Sequence, residues 1–189
     1  MSRRRVQVVV LYEDRQHATF VRRFLIQNGW ENRQIVVVMN PHGRDGRGSG
    51  EQWVREQYAQ EVRKLRSAPH VAKALIAVID EDKQGVGRRD VQLSKALEVA
   101  NSPARKPTEA ILHIIPARNI ETWLEYLKGN AVDEQETYSK FDKGLDCRPM
   151  VNTLKDMCDA RKLREPAPPS LERACVEYRT RMAPILENR

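Results

Sequence analysis

Four short apolar runs, each followed by a stretch with helical spacing, constrain this chain most. Val6 to Leu11, Ile35 to Met39, Ala74 to Ile79 and Ala110 to Ile115 are almost wholly β-branched or aliphatic. They do not alternate with polar residues, which is the pattern of strands buried on both faces. After the first run the inward positions are His17, Phe20, Val21, Phe24 and Leu25, closed by Asn28-Gly29; after the second they are Val54, Tyr58, Val62 and Leu65. Leu93, Ala96, Leu97 and Ala100 follow the third run, and Ile120, Trp123, Leu124 and Leu127 the fourth. Four β-then-α units in a row predict an α/β fold with a mainly parallel four-stranded sheet covered by helices on both faces.

Beyond Gly129 the character changes. No further strand is evident, residues 133–146 are polar, and two helical patterns follow, Val151/Leu154/Met157/Cys158 and Leu171/Ala174/Cys175/Tyr178/Met182, split by Pro166-Ala167-Pro168-Pro169. The expected organisation is an α/β domain over residues 1–130 and a C-terminal helical appendage over residues 131–189, packed on that domain or presented to a partner.

Composition narrows the class. The 189 residues carry 33 Lys+Arg against 26 Asp+Glu, a net charge of +7, and 23 of the bases are Arg. The planar guanidinium fork suits phosphate better than the Lys point charge does, so the balance leans toward a nucleic-acid partner. Residues 1–66 hold 13 bases and 7 acids, so much of the excess sits in the first third. No apolar run approaches the ~18 residues of a membrane span, and the stretch after Met1–Arg5 is too short for a secretory core. A cytoplasmic protein with no membrane contact is expected. Cys147, Cys158 and Cys175 form no CxxC pair, which supports neither a disulfide framework nor a zinc ribbon. Cys158 and Cys175 fall on apolar helix faces and read as core thiols.

In an open parallel sheet, ligands gather beyond the carboxyl ends of the strands. There the sequence places acids. Glu13-Asp14 ends the first run, Asp80-Glu81-Asp82 ends the third, and Glu121 and Glu125 stand at i, i+4 just after the fourth. Extended geometry would turn Asp80 and Asp82 to the same side. Two unit charges 4 Å apart repel by about 4 kcal/mol at an effective dielectric near 20, so grouped carboxylates call for a counter-ion. Hard oxygen donors without neighbouring His or Cys suit Mg²⁺ or Mn²⁺ better than Zn²⁺. Beside an Arg-rich surface, such a site suggests phosphoryl chemistry on nucleic acid. Plainer roles stand next to these: Asp14 as the cap of the first helix, Asp80 and Asp82 as loop residues, and Glu121 and Glu125 as surface positions of a helix.

A glutamate ending the first strand, in Val8-Val9-Val10-Leu11-Tyr12-Glu13, and a DxDxxG motif, Asp80-Glu81-Asp82-Lys83-Gln84-Gly85, resemble the Toprim domain over roughly residues 6–128. That Rossmann-like fold is shared by topoisomerases, bacterial primases, recombination-repair proteins, small ribonucleases and OLD-type nucleases. The resemblance implies that Asp80 and Asp82 bind Mg²⁺ or Mn²⁺, that Glu13 is a metal ligand or the general acid/base, and that Gly85 is the turn glycine. Residues 114–124, containing Arg118-Asn119-Ile120-Glu121-Thr122-Trp123, are similar to a segment of Toprim-like nucleases of bacterial anti-phage defence, where a further acid serves a second metal; this brings in Glu121. The sequence departs from the family at Asp14, where a glycine is usual, and this adds a carboxylate.

The length leaves no room for a topoisomerase clamp, and the cysteines supply no zinc module of the primase or recombination-repair kind. A stand-alone Toprim-type endonuclease is expected, cutting DNA or RNA. It could be a processing ribonuclease or the effector of a defence system working with a separate ABC/OLD-type ATPase; homo-oligomerisation stays open. The competing expectation is a non-catalytic subunit that binds an ATPase or nucleic acid through its helical tail and basic surface. Around the acids, Lys83, Arg88, Arg89 and Arg118 are candidate phosphate contacts. So are Arg44 and Arg47 in the glycine-rich loop from Gly43 to Gly50, which lacks the lysine of a P-loop. His42 reads as an exposed loop residue, and His17 and His113 as satisfied, partly buried ones.

Overall fold

Gln7–Tyr12 (β1), Ile35–Val38 (β2), Lys73–Val78 (β3) and Ile111–Ile114 (β4) are the four strands, each ending within one residue of its apolar run. The computed structural model describes residues 7–38, 40, 50–68, 73–81, 86–140, 146–182 and 184–185. All strand pairings are parallel, in the order β2-β1-β3-β4. Val8 stands opposite both Ile35 and Ala74, and Leu75 opposite Ile111. The α/β expectation is met.

Helices α1 (Arg15–Gln27), α2 (Gly50–Ser67) and α3 (Val86–Val99) alternate with the strands, and α4 (Ile120–Leu127), α5 (Arg148–Asp159) and α6 (Pro169–Arg181) follow them. From β1 the chain moves to β2 on one side; from β2 it crosses back past β1 to β3, and from β3 it continues outward to β4. With right-handed crossovers, this reversal puts α1 on one face of the sheet and α2 and α3 on the other. The cores agree. Val8, Val10, Ala74, Ile76, Leu112 and Ile114 pack with α1 and α4, whereas Leu11, Leu75, Ala77, Ile111 and Ile115 pack with α2 and α3. The period of two along each strand sends neighbours to opposite faces.

The helices after Gly129 join the first of these cores. Met150, Val151, Leu154, Leu171, Cys175 and Tyr178 are buried in one cluster with Phe20, Leu25 and Trp123. Phe24 meets Tyr178 edge to face at 5.0 Å, and the Trp123 indole N–H donates to Ser170 Oγ at 2.8 Å. Cys158 and Cys175 are buried free thiols, with sulfurs 3.0 Å apart across α5 and α6. Among the described residues, no helix is long and apolar enough to cross a membrane.

Candidate active site

β1 and β3 are paired, but the strand order reverses between them and the chain leaves their carboxyl ends toward opposite faces of the sheet; a topological switch point of this kind is where an open α/β sheet forms its crevice. Glu13 leaves β1 at that point and Asp80 follows β3. The Glu13 N–H donates to Val78 O at 3.2 Å, and Glu13 Oε2 accepts the Asp80 N–H at 3.0 Å. Strand pairing thus continues one step past the sheet through a carboxylate.

A circuit of contacts fixes the two acids. Asp80 O accepts from Arg89 Nε at 2.7 Å, and Arg89 also reaches Glu51 Oε2, at 2.5 Å, and Gln92 Oε1, at 2.8 Å. Glu51 is the second residue of α2. The first, Gly50, lies against the Glu13 backbone: a β-carbon there would stand 2.3 Å from Glu13 O. A side chain is excluded by this approach, which gives the last glycine of the loop a structural reason. Arg89 is only 2% exposed. It ties the start of α2 to the end of β3 from inside, so it does not lie on the phosphate-contacting surface expected for it.

Asp14 caps α1. Its Oδ1 accepts from Gln16 N at 2.8 Å and His17 N at 3.2 Å, and its Oδ2 lies 3.9 Å from Lys140 Nζ. Capping takes Oδ1, and Oδ2 is the oxygen nearer Lys140.

His17 departs from expectation. Its ring is buried, and Nε2 lies 3.0 Å from Asp80 Oδ1, but Nδ1 has no hydrogen-bond partner among the described residues. Burial lowers its pKa; the bond to Asp80, with the charges of Asp80, Asp14 and Glu13, outweighs burial and raises it from 6.5 to about 9. The surrounding carboxylates favour the protonated ring.

Glu121, in the first turn of α4, is 2% exposed, and its Oε1 has no partner among the described residues. Burial first, then the charges of Asp14 and Asp80, pushes its carboxyl up, against the opposing effects of a backbone hydrogen bond and the His17 charge. It therefore belongs to the same electrostatic cluster. Glu125 does not: its oxygens accept from Lys128 Nζ at 2.8 Å and from Asn130 Nδ2, and the Lys128 bond lowers its pKa. One turn of helix separates a buried acid near Asp14 and Asp80 from one that closes on its own helix end. Glu81, between Asp80 and the third acid of the motif, is buried, with its N–H on Pro116 O at 2.9 Å.

Asp82, Lys83 and Gly85 of the motif, Arg44 and Arg47 of the glycine-rich loop, and His42 lie outside the described residues. Among the described residues, no three His, Cys, Asp or Glu side chains stand close enough together to hold a metal ion. Glu121, whose buried Oε1 has no partner among the described residues and which feels the charges of Asp14 and Asp80, offers a hard oxygen donor of the kind a divalent cation takes. Arg88 is exposed on α3. Arg118 is half-buried on the loop before α4 and makes no hydrogen bond or ion pair with a described residue. Sequence reasoning missed Lys140: the polar segment after α4 returns to the crevice, with Asn119 Nδ2 donating to Tyr138 O at 3.2 Å.

Comparison of the chain with family models, with curated proteins and with solved structures finds no match in any of the three.

Proposed function

We propose that this chain is a Mg²⁺-dependent endonuclease of Toprim type, hydrolysing phosphodiester bonds in DNA or RNA. The observation that carries the reading is the bond from the Asp80 N–H to Glu13 Oε2, which joins the two acids at the sheet's switch point, with buried, partner-poor Glu121 beside them. Glu13, Asp80 and Asp82 would hold Mg²⁺ or Mn²⁺, with Asp14 and Glu121 as auxiliaries. When bound, the ion supplies electrophilic stabilisation of charge on the scissile phosphate.

The chain's own residues supply the rest. Asp80 is oriented by His17 and by Arg89, and Glu13 by its bond to Asp80 and by the start of α2. Preorganisation of this kind means that little rearrangement is needed when charge develops. Arg118 and Arg88, with Lys83, Arg44 and Arg47, would bind the phosphate backbone; Lys140 stands at the same rim. A separate ABC/OLD-type ATPase would dock on the helical face, as in a defence effector.

The test is incubation of the full chain with plasmid DNA and with total tRNA in Mn²⁺, with and without an ATPase encoded alongside it. Metal-dependent cutting that is lost in the Asp80→Ala/Asp82→Ala double variant, with folding retained, is the expected result. The same turnover in the double variant overturns the proposal. No cutting under any of these conditions favours a non-catalytic binding subunit.

A further inference from the structure

Asp80 is held at three of its atoms by three different elements. Its N–H donates to Glu13 Oε2, its carbonyl accepts from Arg89 Nε, and its Oδ1 lies 3.0 Å from His17 Nε2. No described residue bonds to Oδ2, and the Asp80 side chain is 14% exposed. One carboxylate oxygen is therefore without a partner among the described residues, and the rest of the residue is pinned.

His17 itself is placed for this single contact. Asp14 caps the turn from which it projects, and its ring is 1% exposed among Asp80, Asp14, Glu13 and Glu121. Burying an imidazole with one nitrogen unpartnered is costly, whereas an aliphatic side chain would fill the same space without that cost. Packing alone does not account for a histidine here. The bond to Asp80 does.

We propose that His17 is a positioning residue for the metal-binding carboxylate: by taking Asp80 Oδ1 it fixes the plane of the carboxylate and leaves Oδ2 as the oxygen offered to a divalent cation. The inference rests on the functional reading above. Partners that orient a ligating side chain typically change metal affinity by about 10- to 100-fold when removed.

Mn²⁺ binding to the full chain, measured by titration calorimetry, tests it in the wild type and in His17→Leu, His17→Asn, His17→Gln and Asp80→Asn. His17→Leu is expected to weaken binding by roughly 10- to 100-fold, and its melting temperature is expected to fall, because it also removes the positive charge that Asp80, Asp14 and Glu13 favour. His17→Gln, whose amide nitrogen can occupy the place of Nε2, is expected to bind within a few-fold of wild type. The amide of His17→Asn is one methylene short, so this variant should behave like His17→Leu and gives a second, polar probe of the same bond. Wild-type affinity in both His17→Leu and His17→Asn overturns the inference, as does a His17→Gln as weak as they are. If Asp80→Asn loses binding while these variants keep it, the inference fails alone and the functional reading stands. A wild type that takes up no Mn²⁺ overturns both.

Discussion

Gly50 and Glu13 are in such close contact that a β-carbon on Gly50 would stand 2.3 Å from the Glu13 carbonyl oxygen and 3.0 Å from its Cγ. The first residue of α2 and the first residue after β1 thus define each other's positions. Because the obstructing atom is backbone, a side chain cannot be accommodated by a rotamer change. Gly50→Ala is expected to destabilise the fold by about 1–3 kcal/mol, through overpacking, which corresponds to roughly 2–12 °C in melting temperature for a chain of this size. Thermal denaturation checks this. Since the shift falls on Glu13, divalent-cation affinity should drop with it.

Neighbouring arginines on α3 should behave oppositely. Arg89 is buried against Glu51 and the Asp80 carbonyl, and removing one partner of a buried ion pair costs about 3–5 kcal/mol. Arg89→Ala should therefore melt far below wild type. Arg88 is exposed, and Arg88→Ala should stay within about 0.5 kcal/mol of wild type. Its effect should appear in nucleic-acid binding, with a shallower dependence of affinity on salt. Chemical denaturation and a salt series of binding isotherms separate the two.

Acidification reports on a different buried histidine. The Tyr58 hydroxyl donates to His113 Nε2 at 2.7 Å, and His113 Nδ1–H donates to Asp90 Oδ1 at 2.6 Å. Burial, then the charge of Arg105, lowers the His113 pKa from 6.5 to about 3; Asp90 is already met by Arg173. Between those values the unfolded chain binds a proton that the folded chain does not. The stability that goes with neutral His113 is present above about pH 6.5 and is lost as pH falls toward 3. Melting temperatures measured from about pH 7 down to pH 4 should fall more steeply for wild type than for His113→Gln.

Glu121→Gln separates a functional carboxylate from a merely structural one. Its buried Oε1 lacks a partner among the described residues and sits near the charges of Asp14 and Asp80. The neutral amide removes that repulsion, so the metal-free variant should melt at or above the wild-type temperature. The rise in melting temperature produced by Mn²⁺ should be smaller than in wild type. A variant that is less stable without metal and equally stabilised by it would assign Glu121 a packing role.

The fold was legible because its signals are local. Strands buried on both faces must be apolar at every position, so Val8-Val9-Val10 and Leu75-Ile76-Ala77 announce themselves, and the helices between them carry their own period. Glu13 and Asp80 were legible for a related reason, since the carboxyl end of a parallel strand can be located without knowing the strand order. His17 was not: its partner Asp80 is 63 residues away, and its inward spacing on α1 is that of any core residue. Spacing likewise does not tell Glu121, buried near Asp14 and Asp80, from Glu125, which bonds Lys128 and Asn130 at its own helix end. Nor does the pair Arg88-Arg89 reveal which member turns inside. For His17, Glu121 and Arg89 the deciding surroundings are residues that only the tertiary fold brings near.

The proposed function requires the carboxylates at the β1 and β3 ends to form a divalent-cation site for phosphodiester cleavage. Anomalous diffraction from crystals soaked in Mn²⁺ shows whether they do. The expected result is a peak between Glu13 and Asp80, with ligand oxygens at about 2.1 Å, absent from Asp80→Asn crystals. Saturating Mn²⁺ that leaves this crevice empty, or that binds equally in Asp80→Asn, would contradict it.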